Sequence, residues 1–364
     1  MKLFNCQNCG QPLYFENHRC PSCGLRLGYL PAEANVATLA ADGEEWRAAV
    51  APGRFRLCAN AAHDVCNWLI APGSVDAFCA ACRHNRTIPD LAVPGNLDHW
   101  RKVEFAKHRL FYTLLCLGLP LATKAERDDG LAFDFLVAVG APVVTGHAGG
   151  AITINLAEAD DAEREKTRGR MGEPYRTLLG HFRHEIAHYY WDRLVRDTGA
   201  LDVFRAAFGD ERTDYNGALA RHYADGAPSD WPDRFVTAYA SAHPWEDFAE
   251  TWAHYFHMVD TLETASAFGL VLAPHTRTPL DARIDFDPHQ ADMPRLIDAW
   301  LPLSFAANSL NRSMGLSDLY PFVPTPAVIV KLAFVHDLIH RRRDATATLQ
   351  AVAAGLRRKV GEPM

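Results

Sequence analysis

The chain has 364 residues, 48% hydrophobic and 22% charged, ordinary proportions for a folded globular protein of two or three domains. A formal net charge of -7 gives no attraction to nucleic acid or to an anionic membrane surface. The opening "MKLFNCQNCG" has no apolar signal core, and the longest apolar run, "LLCLGLPLA" at 114–122, falls well short of the roughly 20 residues that span a bilayer, so a cytoplasmic location without a membrane partner is expected.

Nine cysteines are present, eight of them before residue 83. "CQNC" supplies Cys6 and Cys9, and "CPSC" supplies Cys20 and Cys23. Two residues between thiolates form a tight turn that aims both sulfurs at one metal, and two such turns complete a tetrahedron around zinc. Gly10 and Gly24 follow the second cysteine of each pair and suit the turn. Residues 1–28 are therefore read as a zinc ribbon. Metal binding supplies about 10–16 kcal/mol to such a module, which has little else to hold it folded.

Residues 29–95 form a second cysteine-rich module after an Ala- and Pro-rich lead-in. Cys58, Cys66, Cys79 and Cys82 read as a second zinc site, with His63 or His84 able to replace a sulfur. Residues 1–95 hold eight Lys or Arg against eight Asp or Glu, so there is no basic footprint for nucleic acid, and a structural or protein-docking role is favoured.

From residue 96 the pattern changes. "LDHWRKVEFAKHRLFYTLLCLGLPL" (97–121) has helical spacing, with Cys116 in its apolar part read as core. "LAFDFLVAV" (131–139) and "GAITINLAE" (150–158) alternate and are read as strands, with "GHAGG" (146–150) as a turn and "AITINL" as an edge strand. Residues 172–199 are predicted to be one long helix between Pro174 and Gly199. Further helices are predicted over 231–242, 244–268, 292–315 and 325–345, with "HRRRD" (340–344) as a solvated helix end. The fold class is α+β: zinc-ribbon modules, then a mostly helical domain with a small sheet over 96–270, then a helical C-terminal subdomain over 271–364.

The long helix contains "HFRHEIAHYYW", with His184, Glu185 and His188 in an H-E-x-x-H pattern. Residues four apart share one helix face, so the two imidazoles point at a common metal, and Glu185 can reach a water on that metal as general base. A metzincin continuation needs Gly at 191 and His or Asp at 194. Those positions are Trp191 and Leu194, which excludes that branch. Downstream, "PWEDFAETWAHYFH" offers Glu246 and Glu250 on one helix face, with His254 one turn further. Asp192 can either hydrogen-bond the His188 ring or pair with Arg196, and His181 reads as a surface residue or as a support behind the ligands.

These motifs resemble the gluzincin branch of the zincin metallopeptidases, thermolysin-like in catalytic geometry. The resemblance implies Glu246 as third zinc ligand and Glu250 as the carboxylate that buttresses a ligand histidine, or as the ligand itself. It also implies a Tyr or His that donates to the oxyanion, for which Tyr239 and His243 are the candidates. With the cysteine modules included, nearly the whole chain resembles a bacterial family of zinc-binding metallopeptidases with an N-terminal zinc-ribbon domain. That implies one catalytic and two structural zincs and a peptide or protein substrate. The competing expectation is a zinc-stabilised interaction scaffold without catalysis. The intact general base, Glu185, argues against it. Oligomeric state is not fixed by the sequence.

Overall fold

The computed structural model describes residues 2–277 and 280–340. They form two compact units that divide after Phe182, inside the helix that carries the H-E-x-x-H pattern.

In the first unit, β1 (Phe4–Asn5) and β2 (Pro12–Leu13) form a small hairpin across the first cysteine knuckle. A five-stranded antiparallel meander follows in sequence order: β3 (Leu27–Leu30), β4 (Asn35–Asp42), β5 (Glu45–Ala48), β6 (Arg54–Leu57) and β7 (Leu69–Ile70). Its apolar side chains, among them Leu30, Leu39, Phe55 and Leu69, make one buried cluster. Phe15 and Trp68 both pack on Tyr29 with ring centroids 4.7 Å away, and Phe15 meets Tyr112 at 5.6 Å. Tyr112 belongs to α1 (Asn96–Cys116), so aromatic burial joins the ribbon, the meander and this helix. α1 ends before Gly118 and Pro120 rather than at residue 121, and Cys116 is half-buried.

A second sheet runs β10-β11-β9-β8. β8 (Asn85–Thr87) and β9 (Ala132–Leu136) are parallel, β11 (Ala151–Asn155) is parallel to β9, and β10 (Gly146–Ala148) is antiparallel to β11. The "GHAGG" stretch is thus half strand. Gly149 at φ +53° and Gly150 at φ +85° form the two-residue turn that folds β10 back onto β11. "AITIN" is consequently an inner strand, not the expected edge, because β10 covers that side. α2 (Asp161–Met171) follows, capped by Asp160, whose carboxylate accepts the N–H groups of Ala162 and Glu163.

The predicted 172–199 helix is shorter. α3 (Leu178–Leu194) starts where the Thr177 hydroxyl accepts the Gly180 N–H at 3.0 Å, an N-cap that overrides the Pro174 signal. Gly199 at φ +80° does mark the stop, after a short 3₁₀ turn over Arg196–Thr198.

The second unit adds α4 (Leu201–Phe208), α5 (Tyr215–Asp225), α6 (Trp231–Arg234), α7 (Pro244–Ala267), a strand pair β12 (Val271–Leu272) and β13 (Ala282–Arg283), α8 (Met293–Ser313) and α9 (Pro326–Ile339). α7 packs on α9, α8 and α4 and is buried along most of its length. Trp252 stacks on Tyr190 at 5.2 Å, and Phe204 and Phe208 stack on each other and meet Phe248 and Phe334 edge to face.

The helix expected over 231–242 breaks after Arg234. Lys331 Nζ donates to the Arg234 carbonyl at 2.8 Å and the Thr325 hydroxyl donates to the Asp233 carbonyl at 3.0 Å, so side chains from the α9 region satisfy the carbonyls that a longer helix would use. A 3₁₀ turn over Tyr239–Ser241 comes next. The "RRRD" part of the basic run lies outside the described residues. Among the described residues, no helix is long and apolar enough to cross a membrane.

Asp134 in β9 is 4% exposed and accepts Arg86 Nε at 2.9 Å and the Thr87 hydroxyl at 2.7 Å. Hydrogen bonding by Arg86 holds its carboxyl below the usual range. A depressed native value adds stability above the unfolded value of about 3.9, and the gain is lost as pH falls through the native value. Arg86 is half in solvent, which limits the pair to about 1 kcal/mol. Asp134→Asn should lower stability to urea by about 1 kcal/mol at neutral pH, with the gap to wild type closing as pH drops below about 4. A gap unchanged down to about pH 2 would rule out the ionic contribution.

Candidate metal centre

α3 places His184 and His188 one turn apart, with ring centroids 5.1 Å apart. Facing them, α7 begins at Pro244, and the His243 ring caps it by accepting the Trp245 N–H at Nδ1, 3.1 Å away. Glu246 therefore falls in the first turn, where the helix dipole favours a carboxylate. Its Oε2 lies 3.0 Å from His184 Nε2 and its Oε1 lies 3.8 Å from His188 Nε2. One ligand-type atom from each of His184, His188 and Glu246 lies within 4.8 Å of the others, so the three could hold a metal ion. Two imidazole nitrogens and one carboxylate oxygen are a donor set that zinc accepts.

Glu250 stands one turn further along α7 and takes a different place. His184 Nδ1 donates to Glu250 Oε1 at 2.7 Å, and the Thr237 hydroxyl donates to Glu250 Oε2 at 2.8 Å. This pairing fixes the His184 tautomer and leaves Nε2 facing Glu246. Burial opposes ionisation of both acids. Contact with His184 outweighs it and holds Glu250 below, and Glu246 well below, the ordinary carboxylate value.

Glu185 is half-buried beside this group, and loss of water raises its carboxyl to about 7. Tyr239 lies in the 3₁₀ turn before α7, not on a helix, with its ring 6.0 Å from that of His184. Burial pushes its phenol far up, so it remains a proton donor. Tyr215, at the start of α5, was not anticipated. Its hydroxyl donates to Glu246 Oε1 at 2.7 Å. No sequence signal links a tyrosine 31 positions upstream to Glu246; a helix read over α5 would only have made it visible.

Two weaker candidates have other partners. His243 accepts at Nδ1 and its Nε2 meets the Thr213 carbonyl at 3.1 Å, so its ring serves as a helix cap rather than an oxyanion donor. His254 is buried against Tyr320, with Nδ1 2.7 Å from that hydroxyl, and burial lowers its value to about 4. Asp192 accepts Arg196 at 2.7 Å, one of the two roles its spacing allows.

In the first unit, Sγ atoms of Cys6 and Cys23, and of Cys9 and Cys20, stand 3.6 Å apart, and those of Cys66 and Cys79 stand 3.8 Å apart. Four sulfurs around one tetrahedral zinc are separated by about 3.8 Å, given Zn–S bonds of about 2.3 Å. All four cysteines of each set group together, and those of the second set are buried. The knuckles close through Gly10 N–H to the Cys6 carbonyl at 2.8 Å and Gly24 N–H to the Cys20 carbonyl at 2.9 Å.

Neither His63 nor His84 joins the second set. His84 Nδ1 is held at the Leu131 carbonyl, and the His63 ring lies against Trp100. The histidine at the sulfurs is His108 from α1, with Nε2 3.4 Å from Cys66 Sγ and 3.5 Å from Cys82 Sγ. Beside it Lys107 and Glu104 form a fully buried pair at 2.9 Å.

The architecture thus defines a protein with a cysteine-rich ribbon region followed by a helical unit built on an H-E-x-x-H helix. The chain belongs to the family described as "Putative zinc-binding metallo-peptidase", which matches residues 96–338, and a zinc-ribbon domain matches residues 3–93. Uncharacterized proteins of Mycobacterium bovis and Mycobacterium tuberculosis are 42% identical to it over 341 residues, covering 93% of this chain and 95% of theirs. No solved structure matches it.

If Glu250 positions His184 rather than binding metal itself, Glu250→Gln should weaken zinc binding at this centre about 10–100-fold in a chelator competition. Loss of binding as complete as that of Glu246→Ala would make Glu250 a ligand instead.

Proposed function

We propose that the protein is a zinc-dependent peptidase whose catalytic ion is held by His184, His188 and Glu246, with two structural zincs held by Cys6, Cys9, Cys20 and Cys23 and by Cys58, Cys66, Cys79 and Cys82. The observation that carries this reading is the meeting of Glu246 with both imidazoles while Glu185 stands half-buried next to them. When bound, zinc supplies a Lewis acid that makes water acidic near neutral pH and polarises a scissile carbonyl.

Glu185 accepts the proton of the attacking water and passes it to the leaving amine. A carboxyl beside the ligand histidines is placed to do both. Tyr239 donates to the carbonyl oxygen as it gains negative charge, a contribution typically of about 3–4 kcal/mol. Tyr215 and Thr237 act behind them. Tyr215 steadies Glu246, and Thr237 steadies Glu250, which orients His184. The substrate class is a peptide or protein. An apolar hollow of the ribbon region, lined by Leu30, Pro31, Phe55, Ile70, Pro72 and Phe78, supports a role for that region in docking it.

Glu185→Gln should keep the zinc content of the wild type and lower cleavage of an unfolded test protein by at least about 10²–10⁴-fold. Turnover retained by the purified variant would refute the general-base role. Tyr239→Phe should lower kcat by about 10²-fold with KM little changed, whereas a rise in KM alone would assign Tyr239 to substrate binding.

A further inference from the structure

α7 carries a second pair of acids, Asp260 and Glu263, three positions apart on one face near its C-terminal end. Asp260 lies 14 residues beyond Glu246, roughly 21 Å along the helix, so this pair is separate from the H-E-x-x-H centre. The chain returns through the segment before α8 and sets His289 against them. Asp260, Glu263 and His289 are 8%, 6% and 6% exposed, and one ligand-type atom of each lies within 4.8 Å of the others.

The backbone fixes His289 in place. Its N–H donates to Asp287 Oδ1 at 2.9 Å, the N–H groups of Gln290 and Ala291 donate to the Asp287 carbonyl at 3.1 Å, and Asp292 then caps α8. Its ring is the unexplained feature. Neither ring nitrogen has a hydrogen-bond partner among the described residues. Nε2 stops 3.6 Å from Glu263 Oε1. That is too long for a hydrogen bond, which would be about 2.7–3.2 Å. It is close to the roughly 3.4 Å that separates two ligands each about 2.1 Å from one tetrahedral ion. A buried imidazole held in this way against two carboxylates, one of which it meets at ion-pair distance, has the donor chemistry of a metal ligand. Arg183 donates to Asp260 and offsets part of the acidic charge.

We propose that Asp260, Glu263 and His289 form a further zinc site, with one imidazole nitrogen and two carboxylate oxygens as ligands, which ties the end of α7 to the segment leading into α8. Burial of all three side chains makes it a structural site. It does not rest on the peptidase reading.

The test uses the full-length protein carrying His184→Ala and His188→Ala, which removes the imidazoles of the other centre. After a mild chelator has stripped all but sulfur-bound zinc, zinc chloride is titrated in by calorimetry. One equivalent should bind. Adding His289→Gln should abolish that equivalent, and adding Glu263→Gln instead should do the same, so that a folding failure of either variant leaves the other to decide. Circular dichroism before zinc addition checks the fold. Binding retained in both variants, or no equivalent bound in the starting protein, would overturn the proposal; His289 would then be an imidazolium partner of Glu263. In a parallel titration, wild-type protein should take two equivalents. A single equivalent in both backgrounds would sink the H-E-x-x-H assignment while leaving this one standing.

Discussion

The helical unit depends on one contact, the carboxylates of α7 set against the imidazoles of α3. Two histidines a turn apart can converge on one point, but a helix alone cannot supply the third donor on the same side. A second helix must cross in front of them, and its first turn must face the pair. His243 and Pro244 fix where α7 begins, and stacking of Trp252 on Tyr190 fixes how it lies on α3. The apolar packing is thus what positions the polar centre. A shift of one residue in α7 would rotate Glu246 by about 100° and away from both rings.

A different balance governs the ribbon region. Four thiolates around zinc carry a net charge of about −2, which is costly to bury. α1 sets His108 against two of the sulfurs with Lys107 close behind, and Glu104, paired with Lys107, also brings Oε2 to 3.7 Å from Cys82 Sγ. Trp100 and Asn85 donate to the same carboxylate, so the pair is embedded in a hydrogen-bonded network rather than stranded in an apolar core. The helix that follows the cysteines in sequence is therefore part of their cage, which explains a lysine and a glutamate with no exposure at all.

Motifs with fixed local spacing were readable from the residues alone. The C-x-x-C knuckles, the H-E-x-x-H face and the E-x-x-x-E face of α7 each depend on one turn or one helix, so spacing dictates direction. The fold class was legible for the same reason. Partners set by tertiary approach were not. Tyr215 and His108 reach their sites from other helices and Thr237 from the loop before α7, and nothing local marks them. Three helices lie outside the predicted ones: α2 has no buried face and so no stripe to read, whereas α4 carries Leu201, Phe204 and Phe208 at helical spacing and α5 buries only Ala218. Where the reading overreached, capping decided the outcome. Thr177 delays α3, side chains from the α9 region end α6 early, and two glycines turn an expected loop into an edge strand.

α7 runs 24 residues, about 36 Å of continuous helix, with Glu246 near one end and Asp260 and Glu263 toward the other. A rod of that length behaves as a lever. A few degrees of tilt at its far end moves the near end by more than 1 Å, enough to spoil the meeting of Glu246 with the two imidazoles. Whatever clamps the distal turns thereby sets the mechanical tolerance of the centre at the other end. Substitutions around Glu263 are best understood as changes in the stiffness of that mounting.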